Sequence, residues 1–106
     1  MAKRVIKDER IKQIIHNIAE DFRFSGEADG FALLFYRVDS EGVIRGKDID
    51  DMLEYVTTGL SELQNNITWR EEFISENRGY DEIKMLENLK TIEDEYIELQ
   101  NFLVKK

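Results

Sequence analysis

Along most of the chain, apolar residues recur every three to four positions among polar ones, which is the period of amphipathic α-helices. The first apolar stripe lies between residues 8 and 23. Its members are Ile11, Ile14, Ile15, Ile18 and Phe22. A second stripe follows Asp48, which can cap it, and continues to about residue 64. Its members are Ile49, Met52, Leu53, Val56, Leu60 and Leu63. The pattern predicts two helices that each bury one face and leave the other to solvent.

The second half of the chain predicts two further helices. Asn65–Asn66 ends the second stripe, and Thr68 with Glu71 has the spacing of a capping box, which starts a third helix. Asn77–Gly79 tolerates the left-handed backbone that stops or kinks a helix, and Asp81 can cap a fourth.

Apolar residues recur along this fourth helix at alternating spacings of four and three, as in a heptad seam. They are Met85, Leu89, Ile92, Tyr96, Leu99 and Leu103. Such a seam requires a facing helix, either from the same chain or from a second copy. The intramolecular bundle is favoured because three heptads are marginal for an isolated coiled coil.

The most apolar stretch, residues 31–38, allows two interpretations. As a strand, it would pair through the turn at residues 39–42 with residues 43–45 in a β-hairpin. As a helix, it would be capped by Ser25, and its apolar side chains would form one buried face. The helix is favoured. The fold class is therefore a mainly α bundle of four to five helices, with a short hairpin near residues 31–45 as the alternative.

The segment covering residues 31–56 resembles an EF-hand, a helix–loop–helix unit that holds calcium in its loop. Its apolar positions match the entering and exiting helices, with Asp39, Gly42 and Asp48 in the loop between them. A calcium loop, however, has 12 residues, with glycine sixth and glutamate last, whereas this one has 10, with glycine fourth and aspartate last. We therefore expect no calcium binding. The alternatives are a degenerate helix–loop–helix with Ile44 pointing inward and a chance likeness.

Composition and charge narrow the class of protein. The 106 residues, 42% hydrophobic and 36% charged, suit one domain, and the absence of proline permits long helices. The net charge is −8, and its acidic excess lies towards the C-terminus: residues 71–98 carry ten acidic and three basic side chains. Such a surface repels nucleic acid and attracts basic partners, or simply keeps the protein in solution. The basic segment at residues 3–12 is expected to be a solvated terminus.

The sequence contains few residues of the kinds and spacings that catalysis requires. There is no cysteine, and the single histidine, His16, has no sequence neighbour with which to bind a metal or activate a serine. Neighbouring carboxylates on a helix face different sides, and phosphate-binding glycine motifs are missing. We therefore expect no catalytic residue, metal or cofactor, and no enzyme activity. Without an apolar run of signal-peptide or membrane-span length, the expected location is cytoplasmic and off the membrane.

What remains is a surface for binding another protein. Trp69 is the single tryptophan, and Trp, Tyr and Arg are enriched at binding hot spots. The alternative is that Trp69 packs as core against Ile67 and Phe73. The candidate partner-binding residues are Trp69, Arg70, Glu71, Glu72, Glu76 and Tyr80.

The leading functional hypothesis is a small regulatory or inhibitory adaptor, of the kind found among phage and mobile-element accessory proteins. It would dock on a basic protein surface through an acidic helical face and a few aromatic side chains, without contacting nucleic acid directly. One alternative is a nucleic-acid mimic that blocks the basic groove of an enzyme acting on DNA or RNA. Another is a structural homodimer or assembly component built on the heptad seam.

Overall fold

The computed structural model describes residues 3–76 and 80–105, and for residues 3, 4, 74–76, 80 and 81 it describes the backbone alone. Helices dominate these residues, so the predicted mainly α fold with a short β element is confirmed. The elements in chain order are β1 (Lys3–Val5), α1 (Glu9–Ser25), α2 (Gly30–Glu41), β2 (Val43–Arg45), α3 (Gly46–Glu76) and α4 (Tyr80–Val104).

The first helix, α1, begins and ends where its local chemistry requires. The Asp8 carboxylate accepts hydrogen bonds from the amides of Arg10 and Ile11, which satisfies two backbone donors that have no partner inside the helix. Gly26 ends the helix with φ 72°, a left-handed conformation that glycine adopts without strain. The predicted stripe is buried, together with Ala19.

The second helix, α2, confirms the helical interpretation of residues 31–38, but Ser25 does not cap it. Ser25 is the last residue of α1, and its hydroxyl donates a hydrogen bond to the Asp21 carbonyl at 3.0 Å. The cap is Asp29, whose carboxylate accepts a hydrogen bond from the Ala32 amide at 2.9 Å. Because the chain turns at Gly26, a new helix cannot start as early as Ser25.

The β-hairpin alternative near residues 31–45 is wrong. The strand β2 pairs with β1 in an antiparallel sheet of two strands, with Arg4 opposite Ile44. The basic N-terminal segment, expected to be a solvated terminus, thus supplies a strand. Ile44 and the neighbouring Ile6 are almost fully buried. Segments α2, β2 and α3 therefore form a helix–strand–helix unit with Ile44 pointing inward.

The third helix, α3, begins at Gly46, so Asp48 lies in its first turn and not ahead of it. Asp48 nevertheless caps the helix from inside. Its carboxylate reaches back and accepts a hydrogen bond from the Arg45 amide at 3.1 Å, as the third helical residue of a capping box does.

The predicted boundary between a second and a third helix at Asn65–Asn66 is also wrong, because α3 continues through it. The Thr68 hydroxyl donates to the Gln64 carbonyl at 3.0 Å, one turn back in the same helix. Thr68 therefore cannot act as an N-cap. Ile67 is buried here while its neighbours are exposed, so packing outweighs the local preference of asparagine and threonine for helix ends.

The predicted break at Asn77–Gly79 lies outside the described residues. Asp81 is the second residue of α4, so it does not occupy the N-cap position predicted for it. Helices α3 and α4 run antiparallel, since Gly59 meets Tyr96 and, further along α3, Arg70 meets Glu82.

One hydrophobic cluster forms the core of the described residues. It contains Ile6, which follows β1, and residues of α1, α2 and β2, but its members on α3 extend only to Val56 and those on α4 begin only at Tyr96. We call residues 57–76 and 80–95 the arm, and residues 3–56 and 96–105 the body. The molecule is correspondingly elongated, with extents of 53, 30 and 22 Å.

Candidate docking surface

Two aromatic side chains stack on the exposed face of the arm. The Trp69 and Phe73 rings lie one helical turn apart on α3, with their centroids 5.7 Å apart and their planes 17° from parallel. Trp69 is 58% exposed and Phe73 is 37% exposed. Ile67 is buried elsewhere, so Trp69 keeps the predicted contact with Phe73 but does not pack as core. We call Trp69 and Phe73 the aromatic pair.

Arg70 fastens this part of α3 to α4. Its guanidinium donates a hydrogen bond to the Glu82 carboxylate at 2.7 Å and lies 5.7 Å from the centroid of the Trp69 ring. A cation over an indole ring is attracted by the ring's negative face. Arg70 therefore contacts the Trp69 ring and also links α3 to α4.

The remaining predicted binding residues divide into two groups. Glu71 and Glu72 are exposed on α3, next to the aromatic pair. The side chains of Glu76 and Tyr80 lie outside the described residues. The structure therefore brings together Trp69 and Arg70 and adds Phe73, which the sequence suggested only as a core contact.

Two exposed apolar side chains on α4 were not predicted as binding residues. Ile83 is 42% exposed and Met85 is 45% exposed, both in the arm. Met85 was predicted to belong to the heptad seam. No pattern in the sequence distinguishes them from buried apolar residues of the same helix, because the point at which the core ends is set by packing.

The heptad seam has two different halves. Leu99 and Leu103 belong to the hydrophobic core, and Tyr96 packs against it. Leu89 and Ile92 are half-buried along the arm, and Met85 is mostly exposed. The C-terminal half of the seam is thus occupied by the chain's own body and is closed to a second copy.

The loop that resembles an EF-hand has its carboxylates paired with cations. Asp39 lies 3.3 Å from the Arg23 guanidinium and 3.2 Å from Nδ1 of His16. Asp48 is almost fully buried and accepts a hydrogen bond from the Arg37 guanidinium at 2.6 Å. In the stretches that the structure describes, no group of three or more His, Cys, Asp or Glu side chains is placed so that it could hold a metal ion.

The environment of Asp48 favours its charged form. Burial by itself would raise the pKa of this carboxyl. Hydrogen bonds from the Arg37 guanidinium and the Arg45 amide, with the attraction of Arg37 and Lys47, outweigh burial and hold the pKa below its usual value. Asp48 therefore fixes the start of α3 against α2 as a charged, paired side chain.

Comparison of the chain with known protein families, with curated proteins and with solved structures finds no match. Among the described helices, none has the length and apolar character needed to cross a bilayer. The function must therefore be inferred from the chain's own surface, on which the aromatic pair is the most organised apolar feature.

Proposed function

We propose that the chain is a protein-binding module that docks on another protein through the arm, with the aromatic pair as its anchor. The observation that carries this proposal is the exposure of two rings that are already stacked and braced by Arg70. Tryptophan and arginine are enriched at the centres of interfaces. Side chains already held in place lose less entropy when a partner covers them.

The negative charge of the C-terminal half of the chain supports the proposal that the partner has a basic surface. Residues 71–98 include most of α4 and carry a net charge of −7. An acidic surface speeds the encounter with a positively charged protein and disfavours wrong partners of like charge. The complex should therefore form more slowly as salt is added.

The wider assignment is a regulatory or inhibitory adaptor of the cytoplasm, which acts by covering a functional surface of its partner. An arm that extends beyond the hydrophobic core suits this role, since the arm can enter a groove while the body stays outside. The proposal involves binding alone, and no bond is made or broken.

The test compares two exposed aromatic residues. Trp69→Ala removes the anchor, whereas Phe24→Ala removes a phenylalanine that is 96% exposed on α1, in the body. A partner captured from the native host by the wild-type chain is purified, and its affinity for all three proteins is measured by calorimetry. We expect Trp69→Ala to weaken binding at least about tenfold, as loss of a hot spot does, and Phe24→Ala to leave it unchanged.

Charge reversal separates docking from nucleic-acid mimicry. A mimic depends on its carboxylates, so reversing Glu71, Glu72 and Glu87 would abolish binding while Trp69→Ala would spare it. The docking proposal predicts that Trp69→Ala weakens binding more than the charge reversal does. Equal binding by wild type and Trp69→Ala would refute it.

A further inference from the structure

A cleft of about 580 Å³ lies where the arm joins the body. Its apolar lining includes Phe31 at the start of α2, Tyr55 and Leu63 on α3, and Ile92 and Tyr96 on α4. The two tyrosine hydroxyls lie 3.4 Å apart and share one hydrogen bond. Aromatic rings and phenol groups thus form much of the cleft.

Gly59 allows the Tyr96 ring to lie where it does. A β-carbon added at Gly59 would come within 2.8 Å of Cε2 of Tyr96. The absence of a side chain therefore lets the ring lie directly against α3 and contributes to the space of the cleft.

The charged residues that line the cleft are all acidic. They are Asp21, Glu54 and Glu62. Each is exposed, and no ion pair joins any of them to a described Lys, Arg or His side chain. The pKa of Tyr55 is raised, first by burial and then by nearby carboxylates that include Asp21, which is consistent with a negative potential here.

The cleft and the aromatic pair lie on one face of α3. Tyr55, Gly59, Glu62, Trp69 and Phe73 are spaced at three, four and seven residues, which keeps all five within an arc of about 80° around the helix. From Gly59 to Phe73 this face extends for about 21 Å. A partner seated on the aromatic pair therefore also lies over the cleft.

We infer that the cleft receives an arginine side chain of the docked protein. A guanidinium is planar, so it stacks on aromatic faces, and its N–H groups pair with carboxylates. The cleft offers both kinds of group and no competing cation among its lining residues. This inference rests on the proposed function for the source of the arginine, but the chemistry of the cleft can be tested without a partner.

The experiment uses the whole chain and two small probes. N-acetyl-arginine amide carries the guanidinium, and N-acetyl-citrulline amide has nearly the same shape without charge. Each is titrated while the ring signals of Tyr55 and Tyr96 are followed by NMR. We expect saturable shifts with the arginine probe and binding about tenfold weaker, or none, with citrulline.

Matched glutamine variants locate the site. Glu62→Gln should weaken arginine binding about threefold to fivefold, because one exposed carboxylate is removed from the cleft. Glu9→Gln alters an exposed carboxylate of α1 that lies outside both the cleft and the proposed docking surface, and it should leave arginine binding unchanged. Circular dichroism checks that both variants stay folded.

The outcomes distinguish this inference from the proposed function. Equal binding of both probes, or an unchanged affinity in Glu62→Gln, would overturn the cleft assignment even if Trp69→Ala still lost the partner. Conversely, Trp69→Ala should leave binding of the arginine probe unchanged, since Trp69 does not line the cleft.

Discussion

The body and the arm share α3 and α4, but they bury the apolar residues of these two helices to different extents. In the body, Val56 of α3 and Leu99 of α4 are fully buried in the core. In the arm, Ile67 is the buried side chain among the described residues, while Trp69 and Met85 are about half exposed. The difference indicates that the body buries most of the apolar surface that stabilises the fold, whereas the arm leaves large apolar side chains in contact with solvent.

This division has a physical basis. A buried apolar side chain stabilises the fold roughly in proportion to the area removed from water. The body buries side chains from five elements, together with Ile6, in one cluster, whereas the arm has only two helices to cover each other. Segments with few buried contacts open more easily, so the arm should be the less protected region.

The largest expected effect contrasts one aromatic residue from each region. Phe35 is fully buried in the body, so Phe35→Ala should lower the free energy of unfolding by about 3 to 5 kcal/mol. Trp69→Ala in the arm should lower it by less than about 1 kcal/mol, since the ring is already largely in water. Urea denaturation of both variants measures the difference. Similar losses would show that the arm contributes to stability as the body does.

A smaller effect concerns the buried carboxylate that fixes the start of α3. Asp48→Asn should lower the free energy of unfolding at pH 7 by about 2 kcal/mol, because a charged hydrogen bond to Arg37 is weakened. Asp50→Asn, an exposed change on the same helix, should have an effect below about 0.5 kcal/mol.

The lowered pKa of Asp48 predicts the direction in which the stabilisation by this side chain changes with pH. Because the pKa of Asp48 is lowered in the folded state, its stabilisation is present above the unfolded-state pKa of about 4 and is lost as the pH falls through the folded-state pKa. Wild type and Asp48→Asn should therefore converge in stability in acid. Denaturation from pH 7 down to the acid range tests this, and a constant gap between the two would contradict it.

The smallest effect lies where the two regions join. Gly59→Ala gains about 1 kcal/mol of helix propensity but forces the Tyr96 ring aside, and such overpacking costs about 1 to 3 kcal/mol. We expect a net loss of about 1 kcal/mol in thermal or urea unfolding. Gly30→Ala is the control, since nothing lies within 4 Å of the added methyl group, and it should be neutral or slightly stabilising. A more stable Gly59→Ala protein would mean that Tyr96 moves freely.

Much of the fold could be predicted from the sequence. The stripe from Ile11 to Phe22 is buried as the helical period requires, and on α3 Met52 and Val56 are buried while the other members of the predicted stripe are partly buried. The wrong predictions concern helix boundaries, and they came from residues that favour helix ends locally. Asn65–Asn66 and Thr68 favour helix ends, yet they lie inside α3, whose continuation buries Ile67. Ser25 was predicted to start the next helix but is the last residue of α1.

The candidate site was less accessible to prediction. Trp69 and Arg70 were selected for their chemistry, but exposure of the ring depends on how far the core extends along α3. The cleft was missed, because Asp21, Phe31, Glu62 and Tyr96 are distant in sequence and meet only when four helices pack. The partner of β2 was missed for the same reason, since strand pairing joins residues 3–5 with residues 43–45.

By itself the sequence determined the helical class, the faces that turn inward and the excess of negative charge, because each depends on residues near one another along the chain. Tertiary packing decided where the core stops, and hence which apolar residues of α3 and α4 stay in solvent. The reason is that burial is a property of neighbours in space. An apolar stripe looks the same in sequence whether another element covers it or not.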